Sequence, residues 1–282
     1  MASTQYLTTA IDFSYLARLD MDDCDGNENL LRSLTKSFKF GPYALTDFQL
    51  RASGVDGQVL FDFFTSFEGL QRLRIGATYT IHDFDTSCLH GHRKTLEEFA
   101  LVGQEGSFGT DNGGIRALIT PAARFAGNCP RMEALGLMLP NITTNASDPE
   151  EMERFDDTLL QLLMLPNLQL LRIYNWPEYH GTFVKDEVAQ NVARFFPAME
   201  NFVASLFQRM KARGIEDFPI VYFGAETWSY VCNSELAYLT PGVRYQYRNS
   251  RVYGELPSKP VRWSQDELEA AFPDCVLATF MS

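Results

Sequence analysis

Alternation between helix-patterned stretches and a short apolar signature constrains this chain more than any other feature. The signature has apolar residues at its first, fourth and sixth positions and starts at Leu16, Leu45, Leu70, Leu96, Met132, Leu168 and Phe218. Its triplets are Leu16/Leu19/Met21, Leu45/Phe48/Leu50, Leu70/Leu73/Ile75, Leu96/Phe99/Leu101, Met132/Leu135/Leu137, Leu168/Leu171/Ile173 and Phe218/Val221/Phe223. Such triplets are common: with Leu, Ile, Val, Met and Phe at roughly 0.3 of the chain, chance supplies about seven or eight. Their meaning comes from the segment ahead of each. Leu30, Leu31, Leu34 and Phe38 precede the second, and Val59, Leu60, Phe63, Phe64 and Phe67 the third. Ile115, Leu118, Ile119, Ala122 and Phe125 precede the fifth, and Met152, Phe155, Leu159, Leu162 and Leu163 the sixth. A longer run from Val188 through Phe195, Phe202 and Leu206 to Met210 precedes the seventh. All fall at spacings of three and four, one face of an amphipathic helix. Only the stretch before Leu96 has no clear helical pattern.

Strands separated by helices are parallel, because a parallel neighbour needs a long, right-handed crossover. Three architectures meet this condition. A doubly wound sheet buries both faces and reads as continuous apolar runs, and a closed barrel packs its interior with side chains. A solenoid covers one face with helices and leaves the other in water. Here the residues pointing away from the helices are Arg18, Asp20 and Asp22, then Asp47, Gln49 and Arg51, then Arg72 and Arg74. Burying so many charges without partners costs several kcal/mol each. The expected fold is therefore α/β: an irregular solenoid with one curved parallel sheet, helices on its convex side and about seven repeats.

The stretches "LARLDMDDC", "LQRLRIG", "HRKTLEEFALVG", "NCPRMEALGL" and "LPNLQLLRIYNWP", within residues 16 to 226, resemble the leucine-rich-repeat region of fungal F-box-type proteins. That family's repeat reads L-x-x-L-x-L-x-x-N/C over 20 to 29 residues. Intervals of 29, 25 and 26 residues between the first four signatures fit it, and the later ones, 36, 36 and 50, are long. Cys24 is the one ladder residue; Ser53, Thr78, Gln104, Pro140 and Trp176 stand at the equivalent positions. The resemblance implies a substrate receptor of a cullin-type ubiquitin ligase, in which an F-box grips a Skp-family adaptor and the repeats hold the substrate. No L-P-x-E-like opening is visible, and the fifteen residues ahead of Leu16 are too few for an F-box. A Skp-type adaptor is thus expected only for a longer form.

The expected organisation is a solenoid over 1–226 and a C-terminal cap over 227–282, in one domain. Within the cap, Tyr245, Tyr247, Val252 and Tyr253 flank Asn249-Ser250 as a hairpin, and Ser264 with Glu267 forms a capping box opening a short helix. Gly103–Gly114 and Pro140–Pro149 read as loops that lengthen two of the intervals. With 45% hydrophobic content over 282 residues, there is ample material for a core. Five cysteines at irregular spacing read as reduced thiols, so a cytoplasmic or nuclear setting is expected, with no signal peptide and no apolar run long enough for a membrane. A net charge of −12 speaks against nucleic acid and anionic membrane as partners. The chain is expected to be a monomer without cofactor.

Candidate chemistry is sparse. His82, Asp83, Asp85, Cys88, His90 and His92 are close enough in sequence to raise zinc, but a metal-free surface loop is the simpler reading. Asp20, Asp22, Asp23 and Asp25 ahead of Gly26 fail the calcium-loop register, because Arg32 falls where a bidentate Glu belongs. Glu178 and Glu226 follow two strands, as the carboxylate pair of a barrel glycoside hydrolase would, and this is the alternative to a binding module. The charged strand faces oppose it. The favoured reading is a non-enzymatic protein-interaction surface on the concave face, built from Asp20, Gln49, Arg72, Arg74, Arg172, Tyr174, Trp176 and Tyr222, in which aromatics and Arg supply hot-spot chemistry. Arg72 and Arg74 form its expected accessible anchor for a carboxylate or phosphate, the alternative being that the tail folds over the later strands.

Overall fold

A computed structural model describes residues 13–22, 26–38, 43–52, 55–77, 84–103, 122, 124–137, 149–174, 188–215, 218–223, 265–273, 275 and 277. The chain gathers into two compact units, Met1–Met132 and Glu133–Ser282. Both are α/β, with parallel strands in chain order and helices between them, an arrangement compatible with a solenoid. The ladder positions Cys24, Ser53, Thr78, Gln104, Pro140 and Trp176 lie outside the described residues.

In the first unit the order is a short 3-10 turn (Phe13–Tyr15), β1 (Arg18–Asp22), α1 (Asn27–Phe38), β2 (Asp47–Ala52), α2 (Gly57–Phe64), β3 (Arg72–Ala77), a 3-10 helix (Thr86–His92) and β4 (Glu98–Gly103). Each strand pairs in parallel with the next, so Leu19, Phe48, Leu73 and Phe99 stand in one row and Asp20, Gln49, Arg74 and Ala100 in the row beside it. Register is set where each strand begins. The Ala17 carbonyl accepts from both Thr46 and Asp47 N–H, that of Thr46 from Gln71 and Arg72, and that of Gln71 from Glu97 and Glu98. The same bond pair recurs at every repeat, although the intervening lengths differ.

The helix side of these strands is the core. α1 buries Leu31, Leu34 and Phe38, and α2 buries Val59, Leu60, Phe63 and Phe64, at the helical spacing read from the sequence. Phe63 is central, its ring 5.7 Å from Phe38, 5.1 Å from Phe48 and 5.2 Å from Phe67, all within the range of favourable aromatic contact. Asp56 caps α2 by accepting from the Gln58 N–H at 2.8 Å, while its own N–H donates to Glu28 Oε1 at 2.8 Å. That second bond ties the first turn of α1 to the start of α2. Before β4 the unpatterned segment forms a 3-10 helix instead of an α-helix, opened by Asp85 as its cap.

The second unit contains β5 (Ala134–Leu137), α3 (Pro149–Leu163), β6 (Leu170–Ile173), α4 (Val188–Ala212), β7 (Ile220–Phe223) and α5 (Gln265–Ala271). Its strands are again parallel, with Gly136, Arg172 and Tyr222 in one row. α3 contributes Phe155, Leu159 and Leu162 to the core, and α4 contributes Phe202, Val203, Leu206 and Met210. Arg209 on α4 donates through Nε to Asp156 Oδ2 at 2.7 Å and through Nη2 to Oδ1 at 3.1 Å, a two-pronged tie to α3. Gly214 ends α4 with φ of 91°, where a side chain would be strained. Its N–H bonds the Lys211 carbonyl and that of Ile215 bonds Met210, the pattern of a Schellman stop.

Of the helix expected over 115–125, Ala122 and residues 124–126 are described and helical. The loops at 104–114 and 140–148, and the hairpin around Asn249-Ser250, lie outside the described residues, as does Ser264 of the capping box. No helix among the described residues is long and apolar enough to cross a membrane.

Candidate partner-binding face

On the first unit, strand alternation delivers the expected polar side: Arg18, Asp20 and Asp22 on β1 are exposed, while Leu19 is half-buried and Met21 buried. Parallel register then sorts the charges into rows. One reads Arg18, Asp47, Arg72, Glu98, alternating in sign across four strands. Counted over the face, Arg18, Arg51, Arg72 and Arg74 stand against Asp20, Asp22, Asp47 and Glu98, four of each sign. Arg72 Nε pairs with Asp47 Oδ1, Arg51 Nε lies 3.3 Å from Asp22 Oδ1, and Arg18 Nη2 lies 3.6 Å from Asp20 Oδ2. Gln49 Nε2 donates to Asp20 Oδ1 at 2.9 Å. Lateral pairing of this kind holds side chains in place more than it adds stability, since exposed pairs contribute only about 0–1 kcal/mol.

Exposure falls from β1 toward β4. Asp20 is exposed, Gln49 is buried at 7%, and Arg74 at 2%. The expected accessible pair, Arg72 and Arg74, is therefore corrected: Arg72 is one-third exposed and engaged by Asp47, and Arg74 is sealed from solvent. Sequence alternation told which way Arg74 points, not what lies over it.

On the second unit the expected binding residues are brought together but not presented. Arg172, Tyr174 and Tyr222 are each 0% exposed. The Arg172 guanidinium carbon sits 4.7 Å from the Tyr174 ring centroid and 4.8 Å from that of Tyr222, within cation–π range of both. Its Nη1 donates to the Leu277 carbonyl oxygen at 2.6 Å. The reading of these three as an open surface is thus corrected, because the C-terminal segment lies against Arg172. Leu277 is fully buried and Cys275 nearly so. Trp176 lies outside the described residues.

The chemistry raised by the cluster around His92 resolves into structure. The Leu70 N–H donates to Nδ1 at 3.2 Å, and Nε2 donates to the Phe64 carbonyl at 3.0 Å. This fixes a neutral ring with its proton on Nε2. Burial pushes the His92 pKa down from its ordinary value, with the Phe64 carbonyl and the Glu68 carboxylate opposing. The ring joins the end of α2 to the start of β3, a role that no sequence spacing signalled. Asp85 is held below its ordinary range by the Ser87 hydroxyl and amide it accepts from. Burial pushes the Cys88 and Cys129 thiols up to about 12, so neither is a thiolate near neutral pH. His82 and Asp83 lie outside the described residues, and no three metal-binding side chains are gathered among those that are described. Asp20 and Asp22 are strand residues, with Asp23 and Asp25 outside the described set. Glu178 and Glu226 also lie outside it.

No protein-family model, curated protein or solved structure matches the chain.

Proposed function

We propose that this chain is a protein-interaction module without enzymatic activity, similar in role to the substrate-recruiting repeats of an F-box ubiquitin-ligase receptor. One observation carries the reading: parallel strands packed on one side by helices keep charged side chains at the surface on the other, at Arg18, Asp20, Asp22 and the partly exposed Arg51 and Arg72. A face of paired charges recognises a partner by matching their pattern and by excluding partners that set like charges opposite each other.

The test uses the full chain and a charge-reversed form with Arg18→Glu and Asp22→Lys, two side chains that are 63% and 57% exposed. Both proteins are compared by quantitative affinity capture from cells and by thermal melting. The expected outcome is at least about a tenfold loss of a defined partner, with melting unchanged, since surface substitutions usually shift stability by less than about 0.5 kcal/mol. An identical partner set in both forms overturns this reading.

A further inference from the structure

We propose that two copies of this chain pair antiparallel through the outer edges of β1, about a twofold axis at Leu19. Strand order puts β1 at the end of the sheet, and among the described residues no strand lies beyond it. The Asp47 N–H donates to the Ala17 carbonyl while Arg18 stands level with Asp47, so Ala17, Leu19 and Met21 turn their main-chain groups toward β2. Arg18 and Asp20 turn theirs outward, the arrangement that accepts an added strand. The apolar row on the helix side also stops short there. Phe48, Leu73 and Phe99 are buried, whereas Leu19, which ends their row, is half-buried.

Charge complementarity selects a second copy as the occupant and fixes the register. An edge guarded against self-pairing carries charges of one sign, such as lysines, which repel their own copies. β1 instead carries Arg18 and Asp20 on either side of Leu19, with side chains 63% and 41% exposed. In an isologous pair every contact occurs twice. With the axis at Leu19, each Arg18 stands opposite Asp20 of the other copy and the two leucines meet at the centre. An axis at Asp20 sets that carboxylate against itself, and one at Met21 sets Asp20 against Asp22, and like charges directly opposite are destabilising. The charge of −12 on each copy is screened beyond about 8 Å at physiological ionic strength, which leaves the choice to the side chains at the edge. This pairing goes beyond the interaction reading and needs no other partner. The monomer expected from sequence is then the dilute end of an equilibrium.

Sedimentation equilibrium of the full chain, from about 1 to about 300 μM to suit a small interface, is expected to show a dimer. Arg18→Glu sets two like-charged pairs across the axis and is expected to weaken it at least about tenfold; adding Asp20→Arg should restore it to within about threefold of the native chain. Asp22→Lys lies outside the central pairs and should change it by less than about twofold. Hydrogen exchange supplies the second readout: the peptide carrying Arg18–Asp22 is expected to slow as concentration rises in the native chain, and not in Arg18→Glu. Four results overturn the pairing: a monomer throughout the range, a dimer indifferent to Arg18→Glu, no rescue in a swapped variant that melts as the native chain does, or exchange independent of concentration. Asp22→Lys as damaging as Arg18→Glu overturns the register. A chain that stays monomeric yet loses a defined partner on charge reversal sinks only the pairing, and a dimer whose partner set ignores that reversal sinks only the interaction reading.

Discussion

The helix-opposite sides of the two units share a parallel frame, yet Arg51 and Arg72 on the first are met in a different way from Arg172 on the second. On the first unit, charges are met sideways: Arg72 by Asp47 and Arg51 by Asp22, each across one strand spacing. On the second, Arg172 lies between two tyrosine rings and under a carbonyl brought from the C-terminal segment. Backbone geometry does not decide whether such a side is wet. Side-chain type and the later course of the chain decide it, and a buried cation held by rings and a carbonyl needs a tightly fitted site where a laterally paired one does not.

The sharpest way to break this contrast is to truncate a residue on the sealed side. Tyr222→Ala removes a fully buried ring from the Arg172 clamp and is expected to cost about 3–4 kcal/mol in urea unfolding of the full chain. A cost below about 1 kcal/mol would show that the second unit's side is as wet as the first.

A smaller effect separates the core of the first unit from its face. The folded His92 ring binds a proton less readily than the ordinary value of 6.5, so the unfolded chain takes up that proton first as pH falls. Stability from the neutral ring is complete above about 6.5 and declines below it, down to the depressed folded value, by at most about 1.4 kcal/mol per pH unit. Urea midpoints from pH 5 to 8 should therefore fall more steeply on the acid side for the native chain than for His92→Gln. Parallel curves would remove His92 from the account. Least of all should happen at Asp22→Ala, where losing the exposed pair to Arg51 is expected to change unfolding free energy by no more than about 0.5 kcal/mol. A loss above about 1.5 kcal/mol would mean that the first unit's face is no surface at all.

Much of the frame was legible beforehand because it is periodic. Every strand begins at the third position of its apolar signature, and α1, α2, α3 and α4 each bury residues from the three-and-four pattern or span the stretch that carries it. The one segment without that pattern, ahead of Leu96, became a 3-10 helix. What could not be read was contact between distant positions. Arg172 and Leu277 are joined by no repeat, and nothing in "LLRIYNW" tells an arginine on display from one under cover. Arg74 failed for the same reason. His92 was visible as a titratable group, but its two backbone partners, Phe64 and Leu70, lie 28 and 22 residues away and carry no side-chain signal.

The sign-alternating rows on β1 to β4 have a kinetic consequence. Four positive and four negative groups held a few ångströms apart cancel one another's field within a short distance. Beyond the screening length of about 8 Å at physiological ionic strength, an approaching molecule responds to the chain's overall charge of −12 and not to this face. On the proposed reading, a neutral partner would meet this face unsteered, at the ordinary rate of about 10⁵–10⁶ M⁻¹s⁻¹, with little response to added salt. If the proposed interaction holds, the pattern would act only after contact, in how long a correctly aligned complex stays together.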